Sequence, residues 1–209
     1  MLFDPYCRRC PRLALHLDAV HLEYPGYHAR PVPAFGDHEP RLLIVGLAPG
    51  LHGANRTGRP FTGDHAGILL YDTLHRFGFA SIGVSTSADD GLRLIGCRIT
   101  NAVKCLPPEN KPETAEIDNC NNYLRNEFQV TSRLKLVLAL GNIAHGAVLK
   151  AHELKRSAHA FGHGLRHELP GGLILFDSYH CSRYNTQTKR LTPEMFHSLF
   201  TRIRSELDG

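Results

Sequence analysis

At 209 residues, the chain is about 1.4 times a typical domain of roughly 150 residues, so a single domain over residues 1–209 is expected. Hydrophobic residues at 42% and charged residues at 21% match a folded globular chain and exclude wholesale disorder. The formal charge of +4 with histidine neutral permits a polyanionic partner without demanding one.

No apolar run approaches the roughly 18 residues of a membrane span. Met1 is not followed by the basic-then-apolar region of an export signal. An integral membrane protein is therefore excluded, and a cytoplasmic location is expected. Trp is absent, so any stacking platform must come from 10 Phe, 7 Tyr or 14 His.

Taken in chain order, the first feature is Cys7-x-x-Cys10, just ahead of an apolar stretch. Its position at the very start of the chain speaks against a thioredoxin-like site, which follows a strand and opens a helix. The other cysteines stand at 97, 105, 120 and 181. Without an export signal, six thiols suggest reduced cysteines or metal ligands rather than disulfides.

Four runs rich in branched residues follow: Arg41–Gly46, Gly96–Val103, Leu134–Leu140 and Leu173–Asp177. None alternates cleanly between polar and apolar, as befits strands buried on both faces. Helical spacing appears between them. Ala66, Leu69, Leu70, Leu74 and Phe77 share a face, with Gly78 as the stop. Ile117, Cys120, Leu124 and Phe128 mark another helix. Ile143, Ala144, Ala147 and Val148 mark a third, with Asn142 as its expected cap. Thr192-Pro193-Glu194 opens the last, whose apolar face is Phe196, Leu199, Phe200, Ile203 and Leu207.

This alternation predicts an α/β three-layer sandwich with a central, mostly parallel four-stranded sheet. Ligands of such sheets bind beyond the carboxyl ends of the strands. The chemistry is therefore expected in the four loops that follow the strands. The first, GLAPGLHGANRTGRPFTGD, is spaced with glycines that let backbone amides approach a ligand. It lacks the Gly-Lys-Ser/Thr of a phosphate loop and a GxGxxG, so no nucleotide cofactor is expected.

With ITNAVKC after the second strand and SYHCSRYNTQTKRLT after the fourth, this loop resembles the uracil-DNA glycosylase superfamily. The match is to its iron–sulfur branch, family 5 or type B, and it runs from Cys7 to Thr192. The resemblance implies a monofunctional DNA glycosylase. It flips uracil out of DNA, together with other deaminated bases such as hypoxanthine and xanthine, and hydrolyses the N-glycosidic bond. A monomer acting on DNA, associated with the nucleoid, is implied. Lysine is absent from the catalytic positions, so no Schiff-base lyase step is expected. A non-catalytic iron–sulfur DNA-binding module is the alternative.

The resemblance also assigns residues. The leading tetrapeptide is Gly46-Leu47-Ala48-Pro49. It lacks the polar side chain with which relatives assist water attack, so that role moves to Asp64, with Asn55 as a helper. Asp64 also stands where a helix cap belongs. Phe61 is the base-stacking platform, Asn101 the base-reading amide, and His180 the neutral donor to uracil O2. Gly46, Leu47 and Ala48 complete the base pocket. Ser182, Arg183, Tyr184 and Asn185 form the DNA loop, with Arg183 or Tyr184 as wedge. Cys7, Cys10, Cys105 and Cys120 match the ligand layout of a structural [4Fe-4S] cluster. Zinc accepts the same donors and the spacing allows it, but the resemblance makes it the less expected occupant. Lys104 and Lys111 are expected to face phosphates.

Overall fold

The structure is a computed structural model that describes residues 3–209. Its centre is a six-stranded sheet of β1 (Phe35–Gly36), β2 (Leu42–Gly46), β3 (Cys97–Asn101), β4 (Leu136–Leu140), β5 (Arg166–Glu168) and β6 (Ile174–Ser178), ordered β1-β3-β2-β4-β6-β5. The four expected strands are the inner ones, and their pairings with one another are parallel. The expectation of four strands is corrected by β1 and β5, two short antiparallel strands that close the edges.

Buried on both faces, the inner strands send alternate residues into two cores. Leu42, Ile44, Leu136, Leu138 and Leu140 meet α3 (His65–Arg76) and α7 (Pro193–Asp208). Leu43, Val45, Val137 and Ala139 meet α4 (Thr114–Val130) and α5 (Asn142–Ala151) on the other face. The third layer of the expected sandwich is thus present. Two short helices, α2 (Ala54–Thr57) and α6 (Arg183–Gln187), lie in the loops after β2 and β6. No helix of the described residues is long and apolar enough to cross a membrane.

An additional helix, α1 (Pro11–Glu23), buries Leu13, Leu17 and Val20 against Val103, Leu106 and Tyr123 in a third cluster. The Arg12 guanidinium fixes it to the start of α4, donating to Glu116 at 2.8 and 2.7 Å and lying 3.1 Å from Glu113. Glu113 and Glu116 themselves form the capping box of α4.

Two local expectations are corrected. Asn142 is the first residue of α5 rather than its cap. That place belongs to Gly141 at φ +100°, and the Asn142 side chain accepts from Arg156 at 2.6 Å. Lys104 does not face phosphates. It is buried, and its ammonium bonds Thr100 Oγ1 behind the sheet end.

Candidate active site

β2 and β3 are in register, with Gly46 opposite Asn101. The pairing continues past the sheet, where the Ala102 and Val103 amides donate to the Gly46 and Leu47 carbonyls at 2.9 and 3.0 Å. The leading tetrapeptide of the first loop is thereby laid against the Asn-bearing strand end. Gly46 is required there. A Cβ would fall 2.4 Å from Asn101 Oδ1 and 2.6 Å from Phe61 Cζ. Its absence lets the phenyl ring and the amide converge.

Asn101 is buried, and its Oδ1 has no hydrogen-bond partner. An orphaned buried acceptor is costly unless something outside the fold satisfies it. His180 arrives from the other side of the sheet, two residues past the end of β6. Its ring lies 5.7 Å from that of Phe61, centroid to centroid, at an interplanar angle of 28°. Burial brings the His180 imidazole down to about 4, so it is neutral at pH 7.

Phe61, Asn101 and His180 line one cavity of about 420 Å³, together with Leu47, Ala48 and Asp64. A larger groove of about 640 Å³ adjoins it and shares Asp64 and His65. Among the described residues, that groove is lined by no Phe or Tyr ring, whereas the smaller cavity brings the Phe61 and His180 rings together.

Asp64 occupies both of its expected positions. It caps α3, with Oδ1 accepting from Gly67 N at 3.0 Å. It also borders the cavity, where its other oxygen packs against the glycine turn. A Cβ at Gly53 would lie 2.4 Å from Oδ2. Burial raises its pKa, opposed by the Gly67 and Ala66 amides. The carboxyl is therefore a stronger base than a free one.

The other first-loop residue, Asn55, is fully buried, and neither atom of its amide has a partner. Its neighbour Ala54 lines the cavity, whereas Asn55 is not part of the lining. In the fourth loop, Ser182 caps α6 through Asn185 N at 3.4 Å. Asn185 turns inward and donates from Nδ2 to the His180 carbonyl at 2.8 Å. Arg183 and Tyr184 are exposed, and Arg183 borders the cavity.

The sequence reading overlooked Asn110, which lines the cavity from the loop after β3 with φ +57°. Asn tolerates this left-handed backbone better than most residues. The Pro107-Pro108 pair ahead of it gave a turn signal. The network under His180 was also overlooked. Buried Asp177 bonds His145 Nδ1 at 2.8 Å and His167 Nε2 at 3.2 Å, with the Gly162 amide at 3.4 Å. The other His145 nitrogen bonds the His159 carbonyl at 2.9 Å. These groups satisfy one another and brace the C-terminal half of β6.

The four predicted ligand cysteines converge between α1, α4 and the loop after β3, around one small pocket that Lys104 and Tyr123 also border. All are free thiols. Cys120 Sγ accepts the Lys104 amide at 3.3 Å, and Cys10 Sγ accepts Asn119 Nδ2 at 3.6 Å. Burial, then the neighbouring sulfurs, push the Cys105 thiol up. Cys105 and Cys120 are buried and Cys7 and Cys10 half-buried, and thiols crowded in this way favour deprotonation only when a cation joins them. Cys97 and Cys181 lie elsewhere, each in the core beneath the other face of the sheet.

Residues 33–204 match the model of the uracil DNA glycosylase superfamily. The type-5 uracil-DNA glycosylase of Thermus thermophilus is 50% identical over 195 residues, covering 91% of this chain and 89% of that protein. The type-5 uracil-DNA glycosylase of Pyrobaculum aerophilum is 41% identical over 206 residues, covering 96% and 88%. In fold, the chain is similar to the crystal structure of wild-type SMUG2 from Pedobacter heparinus. There the TM-score is 0.52 at 12% identity, over 100% of this chain and 93% of that one. The chain belongs to the uracil-DNA glycosylase superfamily, a family of enzymes that hydrolyse N-glycosidic bonds.

Proposed function

We propose that this chain is a monofunctional DNA glycosylase that extrudes uracil from DNA and hydrolyses its bond to deoxyribose, leaving an abasic site. The observation that carries the reading is the orphaned Asn101 Oδ1 in the same cavity as the Phe61 and His180 rings. An amide offers an acceptor and a donor to the N3–H and O4 edge of uracil. Phe61 restores part of the stacking lost on extrusion, about 1–3 kcal/mol. The neutral His180 N–H stabilises the charge that gathers on O2 as the bond breaks. Asp64 orients and deprotonates the attacking water and steadies the developing positive sugar. No lysine lines the cavity among the described residues, which supports hydrolysis without a Schiff base.

The pocket wall formed by Leu47 and Ala48 carries no polar side chain to reject other bases. On this ground hypoxanthine and xanthine are substrates as well. The test is single-turnover base release from duplexes and single strands carrying uracil, hypoxanthine or xanthine. Release of all three, with uracil fastest opposite guanine where extrusion is cheapest, is the expected result. Release of uracil alone refutes the wider range. Binding without release of any base leaves the non-catalytic module.

The four cysteines fit a [4Fe-4S] cluster, which would serve as a structural cross-link between the N-terminal segment and the loop after β3. Zinc is the alternative occupant, since it accepts the same thiolate donors. Cys105→Ala is expected to remove iron and brown colour and to lower the yield of folded protein sharply. Stoichiometric zinc in the native protein, or a colourless, active Cys105→Ala variant, contradicts the cluster.

A further inference from the structure

Arg59 is a buried cation, only 4% exposed, outside the catalytic set. A buried guanidinium persists only when its charge and its donors are matched. Here Nη2 meets Asp90 Oδ2 at 2.6 Å and Ser85 Oγ at 2.7 Å. Nε donates to Thr62 Oγ1 at 2.9 Å, Nη1 to the Ala88 carbonyl at 3.3 Å, and the group lies 4.8 Å from the centre of the Phe35 ring. Asp90 in turn gathers the amides of Thr86 and Leu92 at 2.9 and 3.0 Å. The Gly63 amide donates to the Ser85 carbonyl at 3.0 Å. Residues 85–90 are thus a strap laced to the 59–63 segment, with Arg59 as the knot.

Between the tied residues sits Phe61, at φ +54°. A bulky aromatic residue in the left-handed region is strained and persists only where its surroundings enforce it. The Pro60 carbonyl is held by Tyr71 Oη at 2.7 Å. A Cβ at Gly67 would lie 1.9 Å from the Phe61 carbonyl oxygen, so α3 packs directly on the strained peptide. Released from the strap, the segment would relax toward negative φ and carry the ring out of the cavity.

The structure assigns Arg59, through its ion pair with Asp90, the role of a positioning residue that holds Phe61 in the conformation presenting its ring to an extruded base. Lysine keeps the charge but lacks the fork that reaches Asp90, Ser85 and Thr62 together. This inference rests on Phe61 being the stacking platform.

A double-mutant cycle on the full-length protein separates the two claims. Single-turnover uracil release is measured for the native protein, Arg59→Lys, Phe61→Ala and the double variant, well below each melting temperature. Arg59→Lys is expected to slow release at least tenfold in the native background and less than twofold in the Phe61→Ala background. Full multiplication of the two losses, or a native rate for Arg59→Lys, overturns the positioning role. A native rate for Phe61→Ala overturns the platform instead. If Arg59→Lys does not fold, Asp90→Asn completes the same cycle with the same criteria. A residue that merely stabilised the fold would lower the melting temperature without this dependence on Phe61.

Discussion

Asp64→Asn is expected to slow base release by about 10²–10³-fold while leaving the melting temperature equal to the native value or above it. The two carboxylate oxygens do separate work. Oδ1 caps α3 by accepting from Gly67 N, whereas Oδ2 faces the glycine turn at the cavity. Asparagine keeps a cap oxygen, worth about 1 kcal/mol, and loses the base. It also removes a charge that the fold disfavours. The carboxyl is raised by burial, so its folded pKa exceeds the unfolded one. Its contribution is favourable while protonated, below the unfolded pKa, and is lost as pH rises through the folded value. At neutral pH the ionised form therefore costs stability, and the amide does not. On the proposed mechanism the same group sets the acid limb of kcat/KM, which should then lie above that of an ordinary carboxylate and vanish from the residual activity of the variant. Single-turnover release and thermal melting across pH decide the matter. A native rate would reduce Asp64 to a cap.

What the sequence discloses follows from where burial is two-sided. The inner strands are near-continuous apolar runs because both faces pack, so Leu42–Val45 and Leu136–Leu140 are unmistakable. The edge strands Phe35–Gly36 and Arg166–Glu168 are two and three residues long and partly exposed, which leaves no period to detect. In α1 the buried stripe is blurred by Leu15 and Leu22, 66% and 81% exposed on the other side. Asn101, Asp64 and His180 were legible because each stands at or just past a strand end or at a helix start, and Phe61 because it lies in the glycine-spaced loop that leads to Asp64.

Asn110 was not, since the turn signal of Pro107-Pro108 does not say which residue of the loop reaches the cavity. Lys104 illustrates the opposite error. A lysine beside the DNA-facing loops invites a phosphate, yet the chain turns it under the sheet toward Thr100. There burial lowers its pKa, partly countered by Glu127 and Cys120. Arg59 escaped because its acidic partner lies 31 residues away in sequence.

His180→Ala should match Asp64→Asn in magnitude, a loss of roughly 10²–10³-fold in single-turnover release, but with a different pH signature. Burial holds the imidazole near 4, so from about pH 5 upward it is a neutral N–H donor. If an imidazolium were the catalyst, the native rate would fall as pH rises through about 6.5, the ordinary histidine value. A neutral donor leaves that range flat. The folded pKa lies below the unfolded one, so the histidine's contribution to stability is present above about 6.5 and is lost as pH falls toward 4. The alanine variant should lack that loss and resist mild acid better than the native protein. Its backbone does not depend on the ring. The Gly141 amide holds the Ser178 carbonyl at 2.8 Å, and Asn185 holds the His180 carbonyl at the same distance. A slow, folded variant therefore reports on the donor rather than on the loop. A native rate would transfer charge stabilisation on O2 to backbone amides of the first loop. A rate that in the native protein declines between pH 6 and 7 would mean that the proton, and not the neutral ring, is what the departing base requires.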